Sequence, residues 1–187
     1  PNELFTGTGP DQWTEARSLI QGYHVRDDHI VPTGHNFDLI EVPAMIYELN
    51  RAGLTLSMEA DGLIPVDISG GAEAVGTVSA QALIMVLDQI YDAGGRLHYL
   101  SPDGTIKRVT AILRDTEQDK LTYSEAIQAL GVYHKSIHEK YPDIRIGYLV
   151  NYPNWNFQYS GRYHYGTNAG TYTNKIGKTF DQVIDDV

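Results

Sequence analysis

LTLSMEADG, residues 54–62, decides how the chain is read. Apolar and polar residues alternate with the period of two that a β-strand imposes on its faces. Thr55, Ser57 and Glu59 point one way, and Leu56 and Met58 the other. If the apolar pair packs on helices, Glu59 stands at the end of the opposite face, followed by Asp61 and a Gly62 turn. Directly before it, PAMIYELNRAG (43–53) reads as a helix. Pro43 suits its first turn, Ala44, Tyr47 and Leu54 lie near one face, and Gly53 suits its stop.

The same grammar recurs twice. SAQALIMVLDQIYDAGG (79–95) precedes RLHYLSPDG (96–104). Ser79 is the expected cap, Ala82, Met85, Val86, Gln89 and Ile90 form the apolar stripe, and Gly94-Gly95 ends the helix. TYSEAIQALGVYHKSIHEKYPD (122–143) then precedes IRIGYLVNYP (144–153). Here Ile127, Leu130, Ile137 and Tyr141 mark the stripe, and Thr122 with Glu125 spells a capping box. An earlier unit is expected to hold a short strand at Leu4–Thr6, a turn at GTGP and a helix from Asp11 to about His24. An irregular connection follows, with an extended piece from Phe37 to Val42. The tail TFDQVIDDV looks like the opening of another helix. Helices alternating with strands imply parallel pairing, because each crossover returns the chain to the same end of the sheet. The fold class expected is therefore α/β with parallel strands, of (β/α)-barrel type, whole or partial. Residues 1–187 make either one domain or the N-terminal part of a larger barrel.

The composition narrows the partners. Twenty-four acidic residues face 14 basic ones, a formal charge of −10, and Lys and Arg form no runs. A nucleic-acid backbone or an anionic membrane is excluded as the expected partner, and no apolar window is read as a membrane span. There are no cysteines, so neither disulfides nor thiol chemistry arise. That suits a secreted bacterial protein and a cytosolic one equally. The chain opens at Pro1, read as a processed or cut N-terminus.

In parallel sheets the ligand sits at the carboxyl ends of the strands. Glu59, Asp61, Ser101, Asp103, Asn151 and Tyr152 are thus expected on one rim. Glu59 is the leading catalytic candidate, as acid, base or nucleophile. Asp103 is the second, although Pro-Asp-Gly is also an ordinary turn sequence, and Asp61-Gly62 shares that ambiguity. After them comes an aromatic stretch. Tyr148, Tyr152, Trp155, Phe157, Tyr159, Tyr163, Tyr165 and Tyr172 put eight rings into 25 residues, interleaved with Asn151, Asn154 and Asn156. Rings stack on the C–H faces of sugars, while amides and phenols reach sugar hydroxyls. Arg162 is the only Lys or Arg between 146 and 174, which argues against nucleic-acid stacking. Asp61, Asn151, Tyr152, Trp155 and Tyr159 are the substrate-binding candidates, and no metal or other cofactor is assigned. His24, His29 and His35, beside Asp27 and Asp28, have a metal-binding composition without a ligand spacing. His134 and His138 stand at i and i+4 on one helix, able to chelate but more in keeping with a surface role.

LTLSMEADG, AGGRLHYLSPDG and YPDIRIGYLVNYPNW together resemble successive units of a (β/α)8-barrel glycosidase-like protein, over roughly residues 40–157 and about half a barrel. The resemblance implies a glycoside hydrolase using rim carboxylates. It also implies that the remainder of the barrel, or a second copy of the chain, completes the sheet. Such glycosidases carry Asn-Glu-Pro at the end of the fourth strand. Here Asn151-Tyr152-Pro153 puts Tyr where that acid stands. A non-catalytic carbohydrate-binding module on the same scaffold is the alternative reading. A metal-dependent barrel hydrolase or isomerase drawing on the early histidines is another.

Overall fold

The computed structural model describes residues 14–31, 40–64, 70–106, 108–110 and 121–149. Helix α1 (Thr14–Leu19) leads into strand β1 (Gly22–Arg26), which is followed by a 3-10 turn, Asp27–His29. Then come α2 (Val42–Ala52), β2 (Thr55–Asp61), α3 (Gly71–Asp92), β3 (Leu97–Asp103), α4 (Tyr123–Lys140) and β4 (Arg145–Ile146). The four strands form one sheet in the order β1-β2-β3-β4, the order in which they are made. β1 pairs with β2 in parallel, with Gly22 opposite Thr55 and Arg26 opposite Glu59; β3 pairs with β4 in parallel through Tyr99 and Arg145.

This winding is the α/β architecture that the alternating grammar requires. A doubly wound sheet reverses strand order at a switch point, and these strands never do. Parallel strands joined in sequence order through helical crossovers are the winding found in (β/α) folds.

Contacts divide the chain into two compact units. The first holds β1, β2 up to Ala60, the second half of α3, β3 up to Ser101, and β4. Its core is apolar and sheet-centred: Val25, Leu56, Met58 and Leu100 from the strands, Ile46 and Leu49 from α2, and Leu87 and Ile90 from α3 are buried. Each such side chain contributes roughly 1.5–3 kcal/mol by leaving water. The second unit holds the strand ends Asp61 and Pro102-Asp103, the first half of α3, and α4. Leu63, Val75, Leu83, Ile106, Val109, Ala129, Leu130, Tyr133 and Ile137 are buried there.

α4 begins as its sequence predicts. Thr122 Oγ1 accepts from the Glu125 amide (3.3 Å), and the Glu125 carboxylate accepts from the Thr122 amide (2.8 Å). Those hydrogen bonds hold the Glu125 carboxyl below its usual range, the Thr122 amide contributing most.

Several expectations are corrected. His24 lies on β1, not in a helix, and the first helix covers only Thr14–Leu19 among the described residues. Val42 opens α2 instead of closing a strand; Leu4–Thr6, Phe37 and the tail helix lie outside the described residues. α3 starts at Gly71, so Ser79 is not its cap. Ser79 is buried inside it, donating to the Val75 carbonyl (2.6 Å) and accepting from the Ile64 amide (2.8 Å). Tyr47 and Met85 point outward, 67% and 69% exposed, while Ile46 and Leu49 of α2 and Leu83, Val86 and Leu87 of α3 are the buried neighbours. With its full length, α3 is also long and apolar enough to cross a membrane by length and composition, contrary to the expectation of no such window. Many of its apolar side chains are buried in the fold, as in the core helix of a globular domain.

Gly76 of α3 lies directly against α4. A β-carbon there would collide with the Ala129 carbonyl and stand 2.7 Å from Val132 Cβ. Backbone cannot move aside as a side chain can, so Gly76→Ala is expected to destabilise the chain by about 1–3 kcal/mol. Urea unfolding followed by circular dichroism would measure it, with Gly131→Ala, where a β-carbon meets nothing within 4 Å, as the tolerated control.

Candidate functional site

In the first unit the alternation along β2 is as the sequence implies. Leu56, Met58 and Ala60 are buried, Ser57 and Glu59 are half-buried, and Thr55 is exposed. On β1, Val25 is buried and His24 and Arg26 are exposed. The parallel register sets His24 beside Ser57 and Arg26 beside Glu59. One face of the sheet is thus greasy and covered, and the other carries an imidazole, a hydroxyl, a guanidinium and a carboxylate.

His24 Nδ1 lies 2.8 Å from Ser57 Oγ, whose hydroxyl also reaches the Tyr23 carbonyl at 3.3 Å. A hydrogen on Nδ1, with the hydroxyl proton given to the carbonyl, satisfies both bonds. Arg26 does not close on Glu59. Its guanidinium donates to Asp28 Oδ2 at 2.7 Å, in the turn that follows β1. Asp28 is buried, its Oδ1 has no hydrogen-bond partner among the described residues, and His29 Nε2 stands 3.9 Å away. Glu59 makes no hydrogen bond or ion pair with another described residue.

His98, whose side of β3 the sequence leaves open, is exposed, and its Nδ1 accepts from the Leu56 amide at 3.4 Å. Tyr99 on the same strand carries the Arg145 guanidinium 5.7 Å from its ring centre, and its hydroxyl accepts from that group at 3.0 Å.

In the second unit, Asp61 closes β2 and Asp103 closes β3. One residue binds both: the Arg108 guanidinium donates to Asp61 Oδ1 and lies 3.5 Å from Asp103 Oδ2. The turn reading of Pro-Asp-Gly also holds. Gly104 sits at φ 61, and the Arg108 amide donates to its carbonyl at 3.0 Å, which brings the guanidinium back towards the strand ends. Two carboxylates and one guanidinium, formally −1 together, thus set acceptors and donors side by side at the strand ends.

The structure therefore describes Glu59, Asp61 and Asp103. Asn151, Tyr152, Trp155, Tyr159 and His35 lie outside the described residues. Among the described residues no group of three or more His, Asp or Glu is placed to hold a metal ion, His24 and His29 included. Arg108, Arg26 and Ser57 were not visible as site residues in the sequence, and His24 was read there only for its metal-binding composition. A surface guanidinium shared by two partly exposed carboxylates contributes little to stability, about 1 kcal/mol or less. Arg108→Leu is accordingly expected to lower stability by no more than that at low salt, and the difference should shrink at 1 M salt, near which screening acts within about 3 Å. Paired denaturant titrations at the two salt concentrations would check it.

Neither a protein-family model nor a curated protein matches the sequence. Among solved structures, the chain aligns with the Paramecium bursaria Chlorella virus arginine decarboxylase bound to agmatine at 11% identity and a TM-score of 0.35. That alignment covers 72% of this chain and 35% of that one. A second structure of the same enzyme gives 10% identity and a TM-score of 0.34, covering 69% and 33%. The chain spans about a third of the length of these structures. At such scores the likeness assigns this chain neither a family nor an activity.

Proposed function

We propose that the chain belongs to a carbohydrate-active protein of (β/α)-barrel type and that Glu59 is the carboxyl group acting on a glycosidic bond. The observation that carries this reading is a half-buried carboxylate that makes no ion pair with another described residue, on the polar face of β2 near that strand's carboxyl end. The neighbouring Arg26, which the register sets opposite, is committed to Asp28 instead. A carboxyl group not paired with the guanidinium beside it remains available to give a proton to a leaving oxygen, to take one from water, or to attack an anomeric carbon.

The Asp61–Arg108–Asp103 array has different chemistry. Its carboxylates are already neutralised in part, which suits them to accept hydrogen bonds from sugar hydroxyls while Arg108 donates to a ring or hydroxyl oxygen. Asp103 would then hold substrate, whereas the sequence alone offers it as a second catalytic group. In this reading Trp155, Tyr159, Tyr152 and Asn151 supply stacking and amide contacts. The same array also supports the second reading, a carbohydrate-recognition module without turnover.

The two separate on one substitution. Glu59→Gln keeps the shape and removes the acid. In the enzyme it is expected to reduce kcat about 100-fold or more towards whichever glycosides of an aryl-glycoside and polysaccharide panel are cleaved. Affinity for the same sugars, measured by calorimetry, should stay within about twofold, since binding and bond cleavage draw on different contacts. Full turnover in Glu59→Gln would dismiss Glu59, and sugar binding without any cleavage by the unsubstituted chain would establish the recognition module.

A further inference from the structure

The chain contains two Asp-Gly pairs, Asp61-Gly62 and Asp103-Gly104, and no Asn-Gly pair. Such pairs are chemically labile, because glycine carries no side chain to shield its amide nitrogen from the preceding carboxyl group. Here the fold requires both glycines. A β-carbon on Gly62 would stand 2.9 Å from Thr105 Cα and collide with the Thr105 methyl. Gly104 has φ 61, and a β-carbon there would lie 3.0 Å from Arg108 Nε. Neither weak point can therefore be removed by replacing its glycine.

The groups that would react are held instead. The Arg108 guanidinium donates to Asp61 Oδ1 and lies 3.5 Å from Asp103 Oδ2, so one side chain restrains both carboxyl groups. The peptide between Asp61 and Gly62 is also held at both ends. Its carbonyl accepts from the Tyr133 hydroxyl at 3.5 Å, and its amide donates to the Asp103 carbonyl at 3.4 Å. Both contacts are long and individually weak, which leaves the guanidinium as the firmer restraint. Beyond the second pair, the Gly104 carbonyl accepts from the Arg108 amide at 3.0 Å.

We propose that Asp61-Gly62 and Asp103-Gly104 are sites of spontaneous isoaspartate formation and that Arg108, by clamping both carboxyl groups, keeps them closed. In the reaction the glycine nitrogen attacks the carboxyl carbon of the preceding Asp and a C–N bond closes a five-membered succinimide. The amide hydrogen and the hydroxyl of the protonated carboxyl leave as water. A second water then opens the ring. Attack at the former side-chain carbonyl restores Asp, and attack at the former main-chain carbonyl gives isoaspartate. Water is the only co-reactant, and nothing is oxidised or reduced. Closure needs the carboxyl carbon to swing onto the glycine nitrogen, so an oxygen held by Arg108 must first give up that contact. Isoaspartate lengthens the main chain by one carbon and would dismantle the array at the strand ends. The inference holds whether or not that array binds sugar.

The test is incubation of the full chain at neutral pH for several weeks in heavy-oxygen water, followed by peptide mapping. Electron-transfer fragmentation distinguishes isoaspartate from Asp, and each ring opening leaves one labelled oxygen. At both sites the folded chain should react at least about tenfold more slowly than the same chain in concentrated guanidinium chloride, since only locally opened molecules can close the ring. Arg108→Gln should speed both sites about fivefold, the factor that an exposed ion pair of this strength is worth. Gly76→Ala, which weakens the fold without touching either pair, should react as the unsubstituted chain does. The proposal fails if either site in Arg108→Gln is no faster, or if the folded chain reacts as fast as the unfolded one. It fails too if Gly76→Ala speeds both sites as much as Arg108→Gln, which would make global unfolding, not the clamp, the control.

Discussion

Period-two burial along β2 is the constraint on which the rest depends. Leu56, Met58 and Ala60 are removed from water while Ser57 and Glu59 stay at least partly wet. A slip of one residue in register would bury Glu59 and expose Met58. A buried, unpaired carboxylate costs several kcal/mol, as does an apolar side chain returned to water. The pairing of β2 with β1 is therefore fixed by side-chain chemistry as well as by backbone hydrogen bonds. Fixing it also decides that Arg26 and Glu59 are neighbours, and hence that the choice made by Arg26 between Glu59 and Asp28 shapes the site.

The same economy of positive charge runs through both units. With ten more acidic than basic residues in the chain, each guanidinium has more carboxylates to choose from than it can serve. Arg108 serves two, and Arg26 serves the buried Asp28. A carboxylate that stands opposite Arg26 and pairs with no described residue is then informative, because it has not been recruited for stability there. That is why Glu59, rather than Asp61 or Asp103, carries the catalytic reading.

How much of this was legible in the sequence depends on the range of the interaction. β2, β3, α2, α4 and the Thr122–Glu125 cap follow from local period and local chemistry, as does the C-terminal part of α3, and they stand where the residues place them. β1 was missed because GYHVR follows a helical stretch directly and is too short to show its own period. The true start of α3 was hidden by Gly76 and Thr77, poor helix formers that tertiary contact overrides; the missing side chain at Gly76 is what α4 requires. Tyr47 and Met85 look like core and are exposed, since a helical stripe does not say which of two adjoining rows the sheet will cover. The Arg108 pairs span 47 residues to Asp61 and lie outside any motif. No local rule could have found them.

The order of the strands bears on how the molecule is made. Because each strand lies beside the one synthesised just before it, every β-helix-β segment can find its partner as soon as it leaves the ribosome, without waiting for distant sequence. Such topologies keep loop closures short, and nascent chains dock onto what has already been built. Among the described residues, growth of this sheet is therefore directional, from β1 towards β4.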